Sequence, residues 1–570
     1  MCRGAIHRAL VLLSLFLIAC GGGNTATADA DQADQTDQAD QSDQSDQSDQ
    51  SDQSDQTVDD DLIDLPDTDE PDIPPTILSL SVVMNPNEAA PLVGVITATT
   101  EPATRLRVTL ESEEGTETLR YAALATQHRL PILGLLPGVT YTVTVSVETT
   151  SGAQIAYPDT FTLVAPPLPD NFPTIQHVFS RPVAEREPGY LFIVLSMAQG
   201  IAEPFGFQVI AFDIAGKVRW LRRDADFQHG MTTLPNGDLL FQFNQKIIEV
   251  NMFGDIVGEW RPEGVVGGPL AVDLPGVQRF HHSVMEATDG AMVALDTEFR
   301  MMDDMPTSDT DPDGPRDTVM VLSDAIVEFD RDGAIRSRRL LLDMLDPGRL
   351  GYLFIPGYQW SHTNYALPIP EDDSMLISVR HQSCVVKYDR TTGVIKWILG
   401  NHDNWSAEFQ QYLLTPVGTP FEWQWYQHNA KLTPDGTILM FDNGNFRAMP
   451  YDTPIPDEDN WSRAVEYRVN ETDMTVEQVW EWRLEGEDRI FSDSLGDVHY
   501  LPQTGNVIVN FGHIAIGTTV KARIFEVTHA NPAEVLYELR IDDASVNDTG
   551  WMVHSSEFRL SLYPDGMLEE

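Results

Sequence analysis

Four histidines hold one repeated position in this chain, and imidazoles gathered that way can do nucleophilic, acid–base or metal-binding chemistry. His229, His282 and His428 each stand eight residues before the glycine of an Asn-Gly or Asp-Gly turn that launches an apolar run. The segments read QHGMTTLPNGDLLFQF, HHSVMEATDGAMVAL and QHNAKLTPDGTILMF, and His362 in SHTNYALPIPEDDSMLISVR keeps the phase with a longer turn. Repeats set around an axis turn equivalent positions toward the same centre, so these side chains are expected to converge. A fifth repeat puts Asp497 at that position, with His499 two residues on. Asp497 is open to two roles, orienting an imidazole or capping a turn. His229 is a candidate channel-lining residue, and His554 near the C-terminus is a candidate for closing the last repeat.

The elements that would position these groups can be counted separately. Between the histidine segments a strand, a Gly/Asp/Asn turn and a second strand recur six times, beginning at VIAFDIAGKVRW (209–220) and IIEVNMFGDIVGEW (247–260). The others run over 325–342, 384–399, 464–482 and 523–539. Each is short, β-branched and alternating, as a hairpin should be. With its histidine-bearing strand each unit supplies about four strands, the content of one propeller blade. The expected fold is all-β: a six-bladed β-propeller over 172–570, preceded by a small fibronectin-III-like β-sandwich over 76–167 and a disordered acidic tether. LGLLPGVTYTVTVSVET in the sandwich places a Pro-Gly turn before a Tyr-bearing strand, and no cluster of ionisable residues marks a site there.

The N-terminus reads as an export signal. Arg3 and Arg8 precede an apolar run ending at Leu17-Ile18-Ala19-Cys20, which resembles the lipobox of bacterial lipoproteins. Residues 1–19 are then a signal peptide, Cys20 is the lipidation site, and the membrane partner is reached through that anchor. The expected location is the cell envelope, on the outer membrane and facing the periplasm or the cell surface. Residues 20–75 are Asp/Gln/Ser-rich, too polar and too like-charged to collapse, and read as a linker. They contribute to a formal net charge of −52. Such a chain is a poor nucleic-acid partner, since phosphate affinity requires clustered Lys and Arg. With Cys2 in the signal and Cys20 acylated, Cys384 alone remains, so no intramolecular disulfide forms.

FHHSVMEATDGAMVAL, WSHTNYALPIPEDDSMLISVRHQSC, YQHNAKLTPDGTILMFDNGNFR and GDVHYLPQTGNVIVNFG resemble, in this order, segments of the bacterial arylsulfotransferase family. The resemblance covers about residues 76–570 and implies the same plan of sandwich and six-bladed propeller. It implies transfer of a sulfuryl group from an aryl sulfate ester to a phenol without a nucleotide donor; no cofactor is expected, and Arg380 beside the histidines opposes a resident metal. The histidine that attacks sulfur in the family is matched by His428, and the supporting positions by His282, His362 and Arg380. His281 is the alternative to His282, which keeps the eight-residue phase. The small-molecule partners implied are aryl sulfates and phenols; no oligomeric state follows.

The chemistry suits such a set. A sulfate ester surrounds an electrophilic sulfur with anionic oxygens, and donors aimed at those oxygens stabilise the transition state more than the ground state. Arg380 offers a fork that keeps its proton, and His282 and His362 can give or take one. A neutral imidazole nitrogen is nucleophilic without a separate base. Asn364, Trp360 and Trp423 stand beside these groups in sequence and are candidate substrate-binding residues, the two indoles as platforms for an aromatic ring. Two other readings use the same residues: a His-lined metal site, and a non-catalytic surface propeller that binds a protein or glycan.

Overall fold

The computed structural model describes residues 74–569 apart from 171, 198–206, 225–227, 244, 353–357 and 543–548, and apart from the side chains of Gln228 and His229. The expected signal peptide, Cys20 and nearly all of the 20–75 linker lie outside the described residues. The described chain is all-β, its helices limited to one turn at Leu341–Met344 and five short 3₁₀ turns. No described helix is long and apolar enough to cross a membrane.

Residues 76–164 form a seven-stranded sheet organised by one long strand, Gly94–Ser112. Its first half pairs with Thr76–Met84 and Ala125–Ile132, and its second half with Gly115–Arg120 and Thr140–Glu148. The register breaks between Thr99 and Thr104, which lets one strand serve two faces. Along Thr140–Glu148 the alternation is clean, with Tyr141, Val143, Val145 and Val147 inward, and Tyr141 accepts the Leu136 backbone N–H through its hydroxyl at 2.8 Å. This unit packs on the remainder of the chain: Leu92, Val93, Phe212 and Trp220 share one apolar core, and Tyr563 accepts the Leu133 N–H at 2.8 Å.

Six further sheets of four or five strands follow among the described residues. Each of the six hairpins read from the sequence forms an antiparallel pair within one of them. Alternating apolar residues fill the layers between sheets, as in Val465, Tyr467 and Val476 against Leu376, Val385 and Leu399.

One strand from each sheet touches its counterpart in the next. Gln228–Thr233, Phe280–Glu286, Thr363–Ile369, His428–Leu432, Asp497–Tyr500 and Trp551–Arg559 adjoin in that order, and the last returns to the first. The circuit is completed by exchange between the two ends of the chain. Trp551–Arg559 adds to Tyr190–Met197 in the first sheet, and Gln176–Phe179 adds to Val535–Ile541 in the sixth. These pairings cover edges that would otherwise stay unpaired. A buried ion pair, Arg186 Nε to Glu526 Oε2 at 2.7 Å, fastens the same seam.

Candidate active site

Five of the six inner strands are irregular at the repeated position. Pairing slips between His229 and Met231, His281 and Val284, Thr363 and Tyr365, His428 and Lys431, and Val553 and Ser555. Asp497–Tyr500 pairs without interruption. A bulge adds a residue to one strand and re-aims its side chains. Here it requires the left-handed backbone: φ is 51° at His282, 48° at His362 and 52° at Asn429, with Gly230 at 48°. Such conformations cost of order 1–3 kcal/mol each at non-glycine residues and persist where the surroundings enforce them.

The bulges bring the imidazoles together. The His282 ring centre lies 4.9 Å from that of His362 and 6.4 Å from that of His428. Behind His362, His381 stacks at 4.7 Å with 15° between the planes. A cavity of about 290 Å³ opens on His282, His428, Asn364 and Asn429 and extends past Lys431 toward Asp497.

Hydrogen bonds assign the proton on the central imidazole. Both amide hydrogens of Asn443 go to backbone carbonyls, those of Ser492 and Leu495, each at 2.8 Å. Its Oδ1 therefore faces His428 Nδ1 at 2.6 Å and must accept a hydrogen bond from the Nδ1–H. With Nδ1 protonated, the lone pair of a neutral His428 sits on Nε2. His381 is fixed in the same way: Nδ1 donates to Gln359 O at 2.8 Å, so Nε2 accepts from Arg380 Nη1 at 3.0 Å.

Arg380 opens a 3₁₀ turn, Arg380–Gln382, and is only 7% exposed. Its Nη2 donates to Asp493 O at 2.8 Å and its guanidinium lies 5.3 Å from the Tyr426 ring centre. Burial lowers its pKa to about 10, which leaves it charged at neutral pH. Its buried Nε has no hydrogen-bond partner among the described residues, a donor suited to an anion. His362 is held well below the ordinary histidine range by burial first, then by His381, His282, Arg380 and His428. His381 is pushed down to about 3 by burial and by Arg380. The site thus sets two neutral imidazoles, His362 and His381, beside a fixed cation. Among the described residues no group of three or more His, Cys, Asp or Glu side chains is arranged to hold a metal ion, and Arg380 within the cluster repels cations.

The remaining candidates are distributed as follows. Asn364 lines the cavity, donates to Gln427 O at 2.8 Å and accepts the Asn429 N–H at 3.4 Å, which ties two inner strands together. The expectation that Trp360 and Trp423 present open faces to a substrate ring is corrected. Trp360 is buried in an apolar core and donates its indole N–H to Arg349 O at 2.9 Å. Trp423 packs against Phe421 and His402. Neither lines the cavity: both stand in loop segments ahead of the inner strands, where nearness in sequence to His362 and His428 does not fix the direction of a side chain. His229 falls in an inner strand, with its side chain outside the described residues. Asp497, His499 and His554 line the far end of the cavity. Asp497 accepts from Lys431 at 2.7 Å; burial alone would raise its pKa, but Lys431 and His499 outweigh burial and keep it ionised. His554 Nε2 meets Ser196 Oγ at 2.7 Å.

Asn443, His381 and the pair His281–Asp324, 3.2 Å apart, are parts of the site that phase alone did not single out. Asn443 lies inside the FDNG segment, the one sequence signal that pointed toward it.

Comparisons with known proteins identify a family. Residues 181–552, more than half of the chain, match the family model "Arylsulfotransferase (ASST)", and residues 81–166 match "Arylsulfotransferase Ig-like domain". The arylsulfate sulfotransferase AssT of Escherichia coli O6:H1 is 34% identical over 173 residues, 28% of each chain. That of Lelliottia amnigena is 26% identical over 221 residues, 35% of this chain and 36% of its own. The aligned segments thus span about a third of these relatives' length. A protein of unknown function from Bacteroides caccae is 10% identical, with a TM-score of 0.36 over 65% of this chain and 98% of its own. With its family model matched across the sheets that carry His282, His362, Arg380 and His428, the chain belongs to the arylsulfotransferase family.

Proposed function

We propose that the chain transfers a sulfuryl group from an aryl sulfate ester to a phenolic acceptor through a sulfohistidine at His428, without a nucleotide donor. The observation that carries this reading is the Asn443–His428 hydrogen bond, which leaves the lone pair on Nε2 of a histidine that lines the cavity together with His282, with His362 packed against His282 and Arg380 bound to His381 behind His362. In the first half-reaction the Nε2–S bond forms as the aryl O–S bond breaks, and the electron pair leaves on the phenolate oxygen. In the second, an acceptor phenol loses its proton, its oxygen attacks sulfur, and the N–S bond breaks. Arg380 offsets charge on the sulfuryl oxygens, and His282 and His362 exchange protons with the aryl oxygens. A phenol, with a pKa near 10, departs as an anion far more readily than an alcohol, which favours aryl donors.

In the same reading the six sheets are blades of one propeller over 172–570, its axis lined by the bulged strands, with the 76–167 sandwich packed on one side. Cys20 anchors the chain to the outer membrane of the cell envelope, and the acidic linker spaces the enzyme from it. The test is mass spectrometry of the full chain after brief exposure to p-nitrophenyl sulfate. A mass gain of one SO₃, located on His428 and absent in His428→Ala, is expected. No adduct, or full transfer to phenol by His428→Ala, overturns the reading.

A further inference from the structure

Behind His282 stands a pair of groups that the transfer scheme leaves unused. His281 Nδ1 lies 2.9 Å from His282 Nδ1, with the two rings at 88°. On its other side His281 Nε2 lies 3.2 Å from Asp324 Oδ1, an ion-pair distance rather than a well-aligned hydrogen bond. Asp324 belongs to the strand Arg316–Phe329, is 3% exposed, and its Oδ2 accepts Ser361 Oγ at 2.7 Å and the Thr363 backbone N–H. Those residues flank His362, so one carboxylate braces both supporting histidines. Burial on its own would raise the Asp324 pKa, but His281 and the two donors outweigh burial and hold the carboxyl ionised.

The contact between the two Nδ1 atoms allows one hydrogen between them, and where that hydrogen resides decides what His282 can do. If His281 carries it as an imidazolium paired with Asp324, His282 Nδ1 accepts and His282 Nε2 bears a proton to give. If His282 Nδ1 carries it, His281 is neutral and His282 Nε2 has a lone pair with which to take a proton. The charged and titratable groups around the pair are Asp324 on the adjoining strand, His362, His381 and Arg380 from the fourth sheet, and His428 from the fifth. Asp324 is the anion among them. Its carboxylate faces His281 Nε2, while Arg380 disfavours charge on His381 and His362.

We infer that Asp324 and His281 form a proton relay behind His282, acting as positioning residues that store one proton between the two half-reactions. The inference rests on the sulfuryl-transfer reading. As the aryl O–S bond breaks, the leaving oxygen takes the proton from His282 Nε2. The His281 Nδ1 proton moves to His282 Nδ1, and His281 becomes neutral. In the second half-reaction the acceptor phenol gives its proton to His282 Nε2, the Nδ1 proton returns to His281, and the cycle closes with no net proton change.

The relay predicts dependence on the leaving group. p-Nitrophenolate leaves readily without a proton, whereas unsubstituted phenolate benefits from one, and general acid catalysis is worth about 10²–10⁴-fold. Asp324→Asn and His281→Gln in the full chain should each lose kcat/KM with phenyl sulfate by at least about tenfold more than with p-nitrophenyl sulfate. Their pH optimum for the acceptor half-reaction should move upward, and Asp324→Glu should recover part of the loss. His281→Gln guards against misfolding, since His281 is partly exposed and glutamine keeps hydrogen-bonding capacity. Equal losses with both donors and an unmoved pH profile in both variants overturn the relay while leaving the transfer reading intact. A wild-type chain that forms no adduct with either donor removes the transfer reading, and the relay with it.

Discussion

Asn443 Oδ1 lies 2.6 Å from His428 Nδ1, and the same amide spends both of its hydrogens on the carbonyls of Ser492 and Leu495. Asn443 therefore cannot turn its nitrogen toward the histidine without abandoning two buried hydrogen bonds. The orientation of one side chain fixes the tautomer of another, and the lone pair of a neutral His428 is placed on Nε2 before any ligand arrives.

Removing that constraint should disable the nucleophile without emptying the pocket. Asn443→Ala lets His428 adopt the wrong tautomer, and comparable loss of an orienting partner in a catalytic triad costs about 10⁴ in kcat. A fall of about a hundredfold or more in the p-nitrophenol burst rate is expected, with KM within a few-fold of wild type. A burst rate unchanged in Asn443→Ala would refute the assignment.

Arg380→Lys keeps the charge but not the fork. One ammonium cannot replace a planar group that spans His381 Nε2 and Asp493 O and keeps a further buried donor at Nε. By analogy with the loss of one oxyanion donor, kcat should fall about 10²–10³-fold. Steady-state kinetics with p-nitrophenyl sulfate and phenol measure it, and near-wild-type kcat would show that a point charge suffices.

Part of this was legible in the chain. The common phase of His282, His362 and His428 and the six hairpins are local, so period and turn chemistry expose them. Asn443 and Asp324 were not legible, because each acts on a histidine in a different strand, and no spacing rule links residue 428 to 443 or 281 to 324. Nor was the exchange of Gln176–Phe179 and Trp551–Arg559 between the first and sixth sheets, since those partners come from opposite ends of the chain. Trp360 was misread because nearness in sequence to His362 does not fix a side chain's direction: residues 360–362 lie between strands, and the backbone turns left-handed at His362.

The correction at Trp360 has a measurable counterpart. Trp360→Phe loses the indole donor to Arg349 O and some core volume, which should lower stability by about 1–3 kcal/mol. It should leave kcat and KM within about twofold, since the ring lies in a core and not on the cavity. A several-fold rise in KM for aryl donors would restore the platform role.

Acid should weaken the fold through the buried imidazoles. His362 and His381 bind no proton in the folded chain at pH values where an unfolded histidine, with a pKa near 6.5, binds one. Stability from this source is therefore complete above about pH 6.5 and declines as pH falls toward the folded His381 value of about 3. Thermal unfolding should show a midpoint that drops from pH 7 to pH 4, and His381→Gln should flatten that drop. A slope identical in the variant would assign the acid sensitivity elsewhere.

Gly230 tests whether the bulges are required for function. Its φ of 48° is in the left-handed region, and a Cβ there would collide with the backbone carbonyl of His282, the first atom a side chain would meet. Gly230→Ala must push that carbonyl away, and because φ at His282 is itself left-handed, the shift rotates the imidazole out of its 4.9 Å contact with His362. A misplacement of about 1 Å in a catalytic group can cost about 10²-fold. The variant should therefore lose transfer by roughly that factor while thermal unfolding moves far less than such a loss would imply. Full activity in Gly230→Ala would mean that the inner strands tolerate regular pairing at this position, and that the recurrent bulges serve the packing of the sheets rather than the aim of the histidines.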